Sequence, residues 1–207
     1  MSLTTAAARI LRWTGVLLGL MALSACGFHL KQAAPLPYHS IYTNINLDTV
    51  AGANLQRIIL ANSPETKFVP QRNQADVYLH QISESENLRQ LSIDAEGRVE
   101  EYELSLEFTF ELLDRAGRIL LPPTTLQRIR ELPYNERIVQ AKESEIAHTF
   151  VDMRNSLSTQ ILRRISAPDV LAAYNNAAEQ PMGTMPDDSP AQLDRANRLG
   201  SPSQLTH

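Results

Sequence analysis

The segment EEYELSLEFTFEL, residues 100–112, alternates polar and apolar side chains over the twelve residues from Glu101 to Leu112. The positions on its apolar side are Tyr102, Leu104, Leu106, Phe108, Phe110 and Leu112. Because successive side chains of a strand point to opposite faces, this period of two predicts a β-strand with one buried and one solvated face. Such a strand belongs to a sheet that is covered on one side only.

Further strands are predicted on both sides of this one. Residues 75–93 form a candidate strand whose apolar phase shifts between Leu79 and Ile82, which indicates a bulge. The segments DAEGR, residues 94–98, and DRAG, residues 114–117, are typical of hairpin turns. Pro122 and Pro123 interrupt the next strand and favour an edge position, since proline cannot donate a ladder hydrogen bond. Residues 38–45 predict a fourth strand.

Two segments have the periodicity of amphipathic helices. The first follows Asp48, a candidate N-cap, and ends near residues 62–64; its apolar side carries Ala51, Leu55, Ile58 and Ile59. The second ends before Pro168, and its apolar stripe consists of Ile146, Phe150, Met153, Leu157, Ile161 and Ile165. The order β-α-β-β-β-α predicts an α/β fold, a two-layer sandwich with two amphipathic helices on one face of a four-stranded mixed sheet.

The first residues have the layout of a bacterial lipoprotein signal peptide. Two arginines precede the apolar run 13–23, which is shorter than the roughly 20 residues that span a bilayer, so a retained anchor is the weaker interpretation. The segment LSAC, residues 23–26, matches a lipobox and contains the only cysteine of the chain. We predict that Cys26 carries a diacylglycerol and an N-acyl chain, which together hold a protein on a membrane. The alternative is a free or buried cysteine behind an ordinary signal peptide.

The chain is therefore predicted to have three parts. Residues 1–25 are a cleaved signal peptide, residues 26–167 an α/β domain, and residues 168–207 a C-terminal tail. The tail is rich in proline and polar residues, so we expect it to be disordered apart from a short helix after Pro168. Gly27 stands where the inner-membrane retention signal of Gram-negative lipoproteins has aspartate, which favours the outer membrane.

Charge and motifs exclude several classes of protein. Residues 1–25 contain two arginines and no acid, so their removal takes the formal charge from −4 to −6, and nucleic acid is an unexpected partner. No catalytic motif or metal-ligand spacing occurs among the histidines, so we predict neither a catalytic residue nor a metal or other cofactor. The row Glu101, Glu103, Glu107 and Glu111 is interpreted as a solvated strand face; an envelope hydrolase remains the alternative.

Basic residues concentrate after this strand, between Arg115 and Lys142. One interpretation is structural, with Arg128 and Arg130 pairing across strands with the glutamate row. The other is functional: Lys142, with Arg128, Arg130 and Arg98, contacts the phosphates of an anionic lipid, since basic side chains and a helix N-terminus both favour phosphate.

Three short motifs, together with the acidic tail after residue 167 that we expect to be disordered, give the chain a family resemblance. CGFHL at residues 26–30, GRVEEY at 97–102 and AKE at 141–143 resemble LptE, the lipopolysaccharide-assembly lipoprotein family. The resemblance covers residues 26–167 and implies the same two-helix, four-stranded sandwich. It also implies an outer-membrane lipoprotein, anchored on the periplasmic side, that aids assembly of the LptD barrel, plugs its lumen and helps to transport lipopolysaccharide.

The same resemblance implies lipopolysaccharide contact through basic residues, of which Lys142 lies in the AKE motif. The first hairpin turn departs from the expected pattern, because Ala95 and Glu96 stand where a basic residue is expected and Arg98 follows two positions later. A scaffold lipoprotein of another outer-membrane assembly machine is the alternative function.

Overall fold

The computed structural model describes residues 33–97, 99–133, 139–179 and 181–186, without the side chains of residues 139–142. In chain order the elements are β1 (Ser40–Thr43), α1 (Val50–Asn62), β2 (Lys67–Phe68), β3 (Val77–Ile93), β4 (Val99–Asp114), β5 (Ile119–Pro133), α2 (Val139–Ile165) and α3 (Pro168–Asn175), with 3-10 turns at Arg72–Gln74 and Ala177–Glu179. The predicted signal peptide, Cys26, Arg98 and residues 187–207 lie outside the described residues.

The strands form one mixed sheet with the order β2-β1-β3-β4-β5. β1 is parallel to β2 and β3, whereas β3, β4 and β5 form an antiparallel meander. The predicted α/β class and mixed sheet are confirmed, but the predicted numbers of four strands and two helices are wrong. The described residues contain five strands and three α-helices, because β2, with two residues, is too short for any periodicity and α3 packs as a third helix.

Local sequence signals position the long meander. The register shifts between Gln81 and Ser83, where the apolar phase of the sequence predicted a bulge. Gly97 and Gly117 adopt φ values of 81° and 76° in the two hairpin turns, a region that glycine enters without a Cβ penalty. β5, the strand that contains Pro122 and Pro123, lies at the sheet edge as predicted.

The hydrophobic core lies between one face of the sheet and the helices. Leu104, Leu106, Phe108, Phe110 and Leu112 of β4 are all buried there, and α2 covers them with the predicted stripe of Phe150, Met153, Leu157, Ile161 and Ile165. The predicted N-cap Asp48 is wrong by one residue: the N-cap of α1 is Thr49, whose Oγ1 accepts a hydrogen bond from Gly52 N at 3.1 Å.

The packed core continues beyond Ala167, where the sequence placed the start of the tail. Val170 of α3 is fully buried, and the ring of Tyr174 makes an edge contact with Tyr38 at a centroid distance of 5.5 Å. Farther along, Gly183 N donates to the carbonyl of Ala116 at 3.2 Å, so the chain remains docked on the turn between β4 and β5. The first part of the predicted tail therefore belongs to the folded unit.

Candidate functional site

Arg128 and Arg130 lie on the helix-covered side of the sheet. In the β4 and β5 register they stand opposite Leu106 and Leu104, and directly opposed side chains of an antiparallel pair share a face. The predicted cross-strand pairing of these arginines with the glutamate row is therefore wrong, because the glutamates occupy the other face. With its amide oxygen turned towards the guanidinium, Gln160 of α2 accepts from Arg128 Nε at 2.8 Å.

The other two predicted lipid-contact residues are placed only in part. Lys142 lies in the first turn of α2, and its side chain is not described. Arg98 is outside the described residues. Arg130 is solvent-exposed near the end of β5. A shared phosphate-binding surface formed by these four residues thus stays a prediction.

The glutamate row occupies the open face of the sheet. Arg89 Nε and Nη2 donate to Glu103 at 2.6 and 2.9 Å, and these hydrogen bonds lower the pKa of that carboxyl. Glu111 lies 2.7 Å from His80 Nδ1, and Glu107 accepts from Gln127 at 3.2 Å. Each carboxylate thus meets its own cross-strand partner, and the carboxylates do not converge on a cleft.

Small polar side chains also lie on the open face, beside the apolar Ile129, which stands opposite Ser105 and is 51% exposed. The hydroxyls of Thr109 and Thr125 lie 2.8 Å apart, and the register places Ser83, Ser85 and Ser105 on the same face. The hydroxyl groups of this face can form hydrogen bonds with a polar surface. Within the described ranges, no group of three or more His, Cys, Asp or Glu side chains could hold a metal ion.

A second feature, a charged bridge between α2 and β3, lies on the helix-covered side. Arg154 Nε donates to Glu84 at 2.5 Å, and its Nη2 contacts Glu86. Burial raises the pKa of Glu86, and this effect is larger than the lowering of the same pKa by Arg154. This bridge was not predicted from the sequence, although the spacing of Glu84 and Glu86 by two residues places both carboxylates on one face of a strand.

Beside the bridge, a groove of about 460 Å³ lies between α1, α2 and the sheet. Its floor includes Phe108 of β4, and its walls include Leu55 of α1 with Leu157 and Ile161 of α2. Among the described helices, none combines the length and the hydropathy needed to cross a membrane.

Comparisons with known proteins agree with this architecture. The model of a family described as "LptE: Lipopolysaccharide-assembly" matches residues 39–165, from the start of the sheet to the end of α2. No curated protein sequence matches the chain significantly.

Several solved structures share the fold. An uncharacterized lipoprotein B from Nitrosomonas europaea is 25% identical, with a TM-score of 0.55 over 75% of this chain and 96% of that chain. A minor lipoprotein from Acinetobacter baumannii is 22% identical, with a TM-score of 0.52 over 73% and 100% of the two chains. The rare lipoprotein B from Shewanella oneidensis is 21% identical, with a TM-score of 0.51 over 68% and 98%.

Proposed function

Since the chain belongs to the LptE family of lipopolysaccharide-assembly proteins, we propose that it is an outer-membrane lipoprotein that assists assembly of the LptD barrel, plugs the barrel lumen and takes part in transport of lipopolysaccharide to the outer leaflet. The observation that carries the proposal is the family match over residues 39–165, which spans the sheet and the two longest helices. The proposed role is non-enzymatic.

Lipid on Cys26 would attach the protein to the membrane. Six residues separate Cys26 from Ala33, the first described residue, and the seven steps from Cys26 to Ala33 reach about 24 Å in a fully extended chain. The domain would therefore stay within one protein diameter of the membrane surface. Such a tether raises the effective concentration of the domain beside a barrel in the same membrane.

The open face of the sheet supports the proposed position in a lumen. A wide barrel encloses a polar, water-filled interior. Glu103 is paired with Arg89 of β3, and Glu111 lies 2.7 Å from His80 Nδ1, so both carboxylates would keep a partner on β3 in contact with a polar wall. The hydroxyls of Thr109 and Thr125 can exchange water for wall groups at small cost.

Lipopolysaccharide contact is proposed for Lys142, with Arg128, Arg130 and Arg98 as further contacts. Lys142 lies in the first turn of α2, where the unpaired backbone N–H groups of a helix add partial positive charge. A phosphate near this turn would interact with both the ammonium group and the helix end. Arg130 is exposed and available for a second phosphate.

Copurification from the membrane tests the proposed partner. The tagged chain, extracted in mild detergent, should bring one large β-barrel with it at equal stoichiometry. Cys26→Ala should abolish labelling with palmitate and release the protein from the membrane fraction while the domain stays folded. Recovery without a barrel would favour the scaffold alternative, and a membrane-bound Cys26→Ala protein would contradict lipidation at this residue.

Two matched lysine variants test the lipid contact. Lys142→Asp should weaken binding of purified lipopolysaccharide at least about tenfold, because one attractive charge becomes repulsive next to phosphate. Lys67→Asp is the control, since Lys67 is exposed on the short strand β2. Equal weakening by both substitutions would show that only net charge matters and would contradict a site at the start of α2.

A further inference from the structure

The groove between α1 and α2 opens to solvent at the start of α1. Val50, the first residue of that helix, lines it and is 66% exposed, while Leu55 lies deeper and is buried. Gly52 allows the close approach of the helix to the preceding loop, since a Cβ there would lie 2.1 Å from the carbonyl oxygen of Asn46. The groove is thus a fixed feature of the way α1 begins.

The groove wall is predominantly apolar; its apolar side chains come from α1, the loop before it, β4 and α2, whereas β3 contributes Gln81 and Glu84. The apolar residues are Ile45, Val50, Ala51, Leu55, Phe108, Val151, Leu157 and Ile161. Apolar surface that faces water is unfavourable, so an apolar occupant would gain free energy in proportion to the area that it covers.

The groove offers no net charge to a ligand. Its two charged lining residues are Glu84 and Arg154, which bind each other through a contact of 2.5 Å. A ligand headgroup that required either charge would have to break this pair, which Glu86 reinforces from the same strand. The lining is therefore complementary to a neutral, apolar segment and not to a phosphate or an amine.

Volume limits the occupant further. A volume of about 460 Å³ lies in the lower half of the range in which proteins bind small molecules, about 300–1,000 Å³. It has room for one chain of a lipid but not for a whole lipid with several chains. The remaining chains and the headgroup would stay outside the mouth near Val50.

We propose that the groove between α1 and α2 binds a single fatty acyl chain of lipopolysaccharide. This inference rests on the proposed function, because the family match is what favours lipopolysaccharide over another lipid of the same membrane. The groove holds the apolar end of the ligand, whereas the basic residues proposed above meet its phosphates. Binding of one chain at a time would withdraw that chain from a lipid aggregate.

Ala51 and Ala53 provide a matched pair for the test. Both lie in the first turn of α1, but Ala51 lines the groove whereas Ala53 is exposed. The mature chain with Cys26→Ala is titrated with dansyl-labelled undecanoic acid, and fluorescence reports binding. Ala51→Phe should weaken binding of the probe at least about tenfold, which corresponds to about two methylene groups left in water. Ala53→Phe should bind the probe as tightly as the parent does.

Competition then identifies the source of the chain. Intact lipopolysaccharide should displace the probe. Neither lipopolysaccharide whose acyl chains have been removed chemically nor phosphatidylglycerol vesicles should displace it. Displacement by phosphatidylglycerol at equal lipid concentration would overturn the assignment to lipopolysaccharide. Equal probe affinities for Ala51→Phe and Ala53→Phe would contradict the assignment of the groove as the binding site.

A second variant covers the case in which Ala51→Phe does not fold, as judged by circular dichroism. Val151→Trp blocks the groove from α2 and should weaken the probe by a similar factor. Direct binding of lipopolysaccharide separates the two levels of the proposal. If the parent and the groove variants bind lipopolysaccharide equally well, the assignment of the acyl chain to the groove fails and the proposed function stands. If the parent does not bind lipopolysaccharide at all, the proposed lipid contact fails as well.

Discussion

Val170→Ala in α3 should destabilise the domain by about 2 kcal/mol, whereas Val50→Ala in α1 should change its stability by less than about 0.5 kcal/mol. Val170 is 0% exposed and Val50 is 66% exposed. Each substitution removes the same two methyl groups. At Val170 their loss costs about 0.8 kcal/mol each plus a term for the cavity, and the better helix propensity of alanine returns about 0.5 kcal/mol.

Urea denaturation of the mature chain with Cys26→Ala measures both effects. With an m-value of about 2 kcal/mol/M, Val170→Ala should lower the midpoint by about 1 M, and Val50→Ala should leave it nearly unchanged. The m-value should stay constant in both variants, because the surface exposed on unfolding hardly changes. Equal midpoints for the two variants would refute the reasoning, since they would show that α3 does not contribute to the core.

Three further predictions concern other parts of the fold. Gly183→Ala should release residues 181–186 from the turn between β4 and β5, because the added Cβ would lie 1.7 Å from the carbonyl oxygen of Gly117. We expect faster amide hydrogen exchange in these residues and an unchanged global stability. Burial raises the pKa of Tyr38 above its ordinary value of about 10, so the unfolded chain ionises first and stability falls as pH rises beyond about 10; urea titrations should show a smaller loss in Tyr38→Phe. Arg154→Met should lower the free energy of unfolding by about 1 kcal/mol in urea denaturation at neutral pH, because two carboxylates of β3 lose their cation. Arg130→Met, at an exposed site, should lower it by less than about 0.5 kcal/mol. Equal losses in the two variants would contradict a stabilising bridge.

Much of the fold follows from periodic signals in the sequence. The alternation in residues 100–112 predicted which side of β4 is buried, and the stripe from Phe150 to Ile165 predicted the contact face of α2. These signals are strong because each repeats over several turns or pleats, so that one buried face dominates the pattern. The prolines of β5 carry a backbone constraint and correctly predicted an edge strand.

Other features depend on long-range pairing, which no local pattern contains. β2 is only two residues long and exists because Lys67 and Phe68 pair with β1. The sequence predicted a short helix near Pro168, where α3 begins, but the polar, proline-rich composition of the tail did not indicate that Val170 reaches the core. The face of Arg128 depends on the β4 and β5 register, in which a shift by one residue reverses every side chain.

The two faces of the sheet have different physical requirements, and this separates the two proposed contacts. A polar wall can replace water on the open face, where Glu103 and Glu111 keep their own partners. An acyl chain needs the opposite, a surface shielded from water, and the groove on the helix-covered side provides it. Since no groove-lining residue belongs to the open face, blocking the groove with Ala51→Phe should leave copurification of the barrel intact. A protein that lost both properties through this one substitution would instead use the helix-covered side for both contacts.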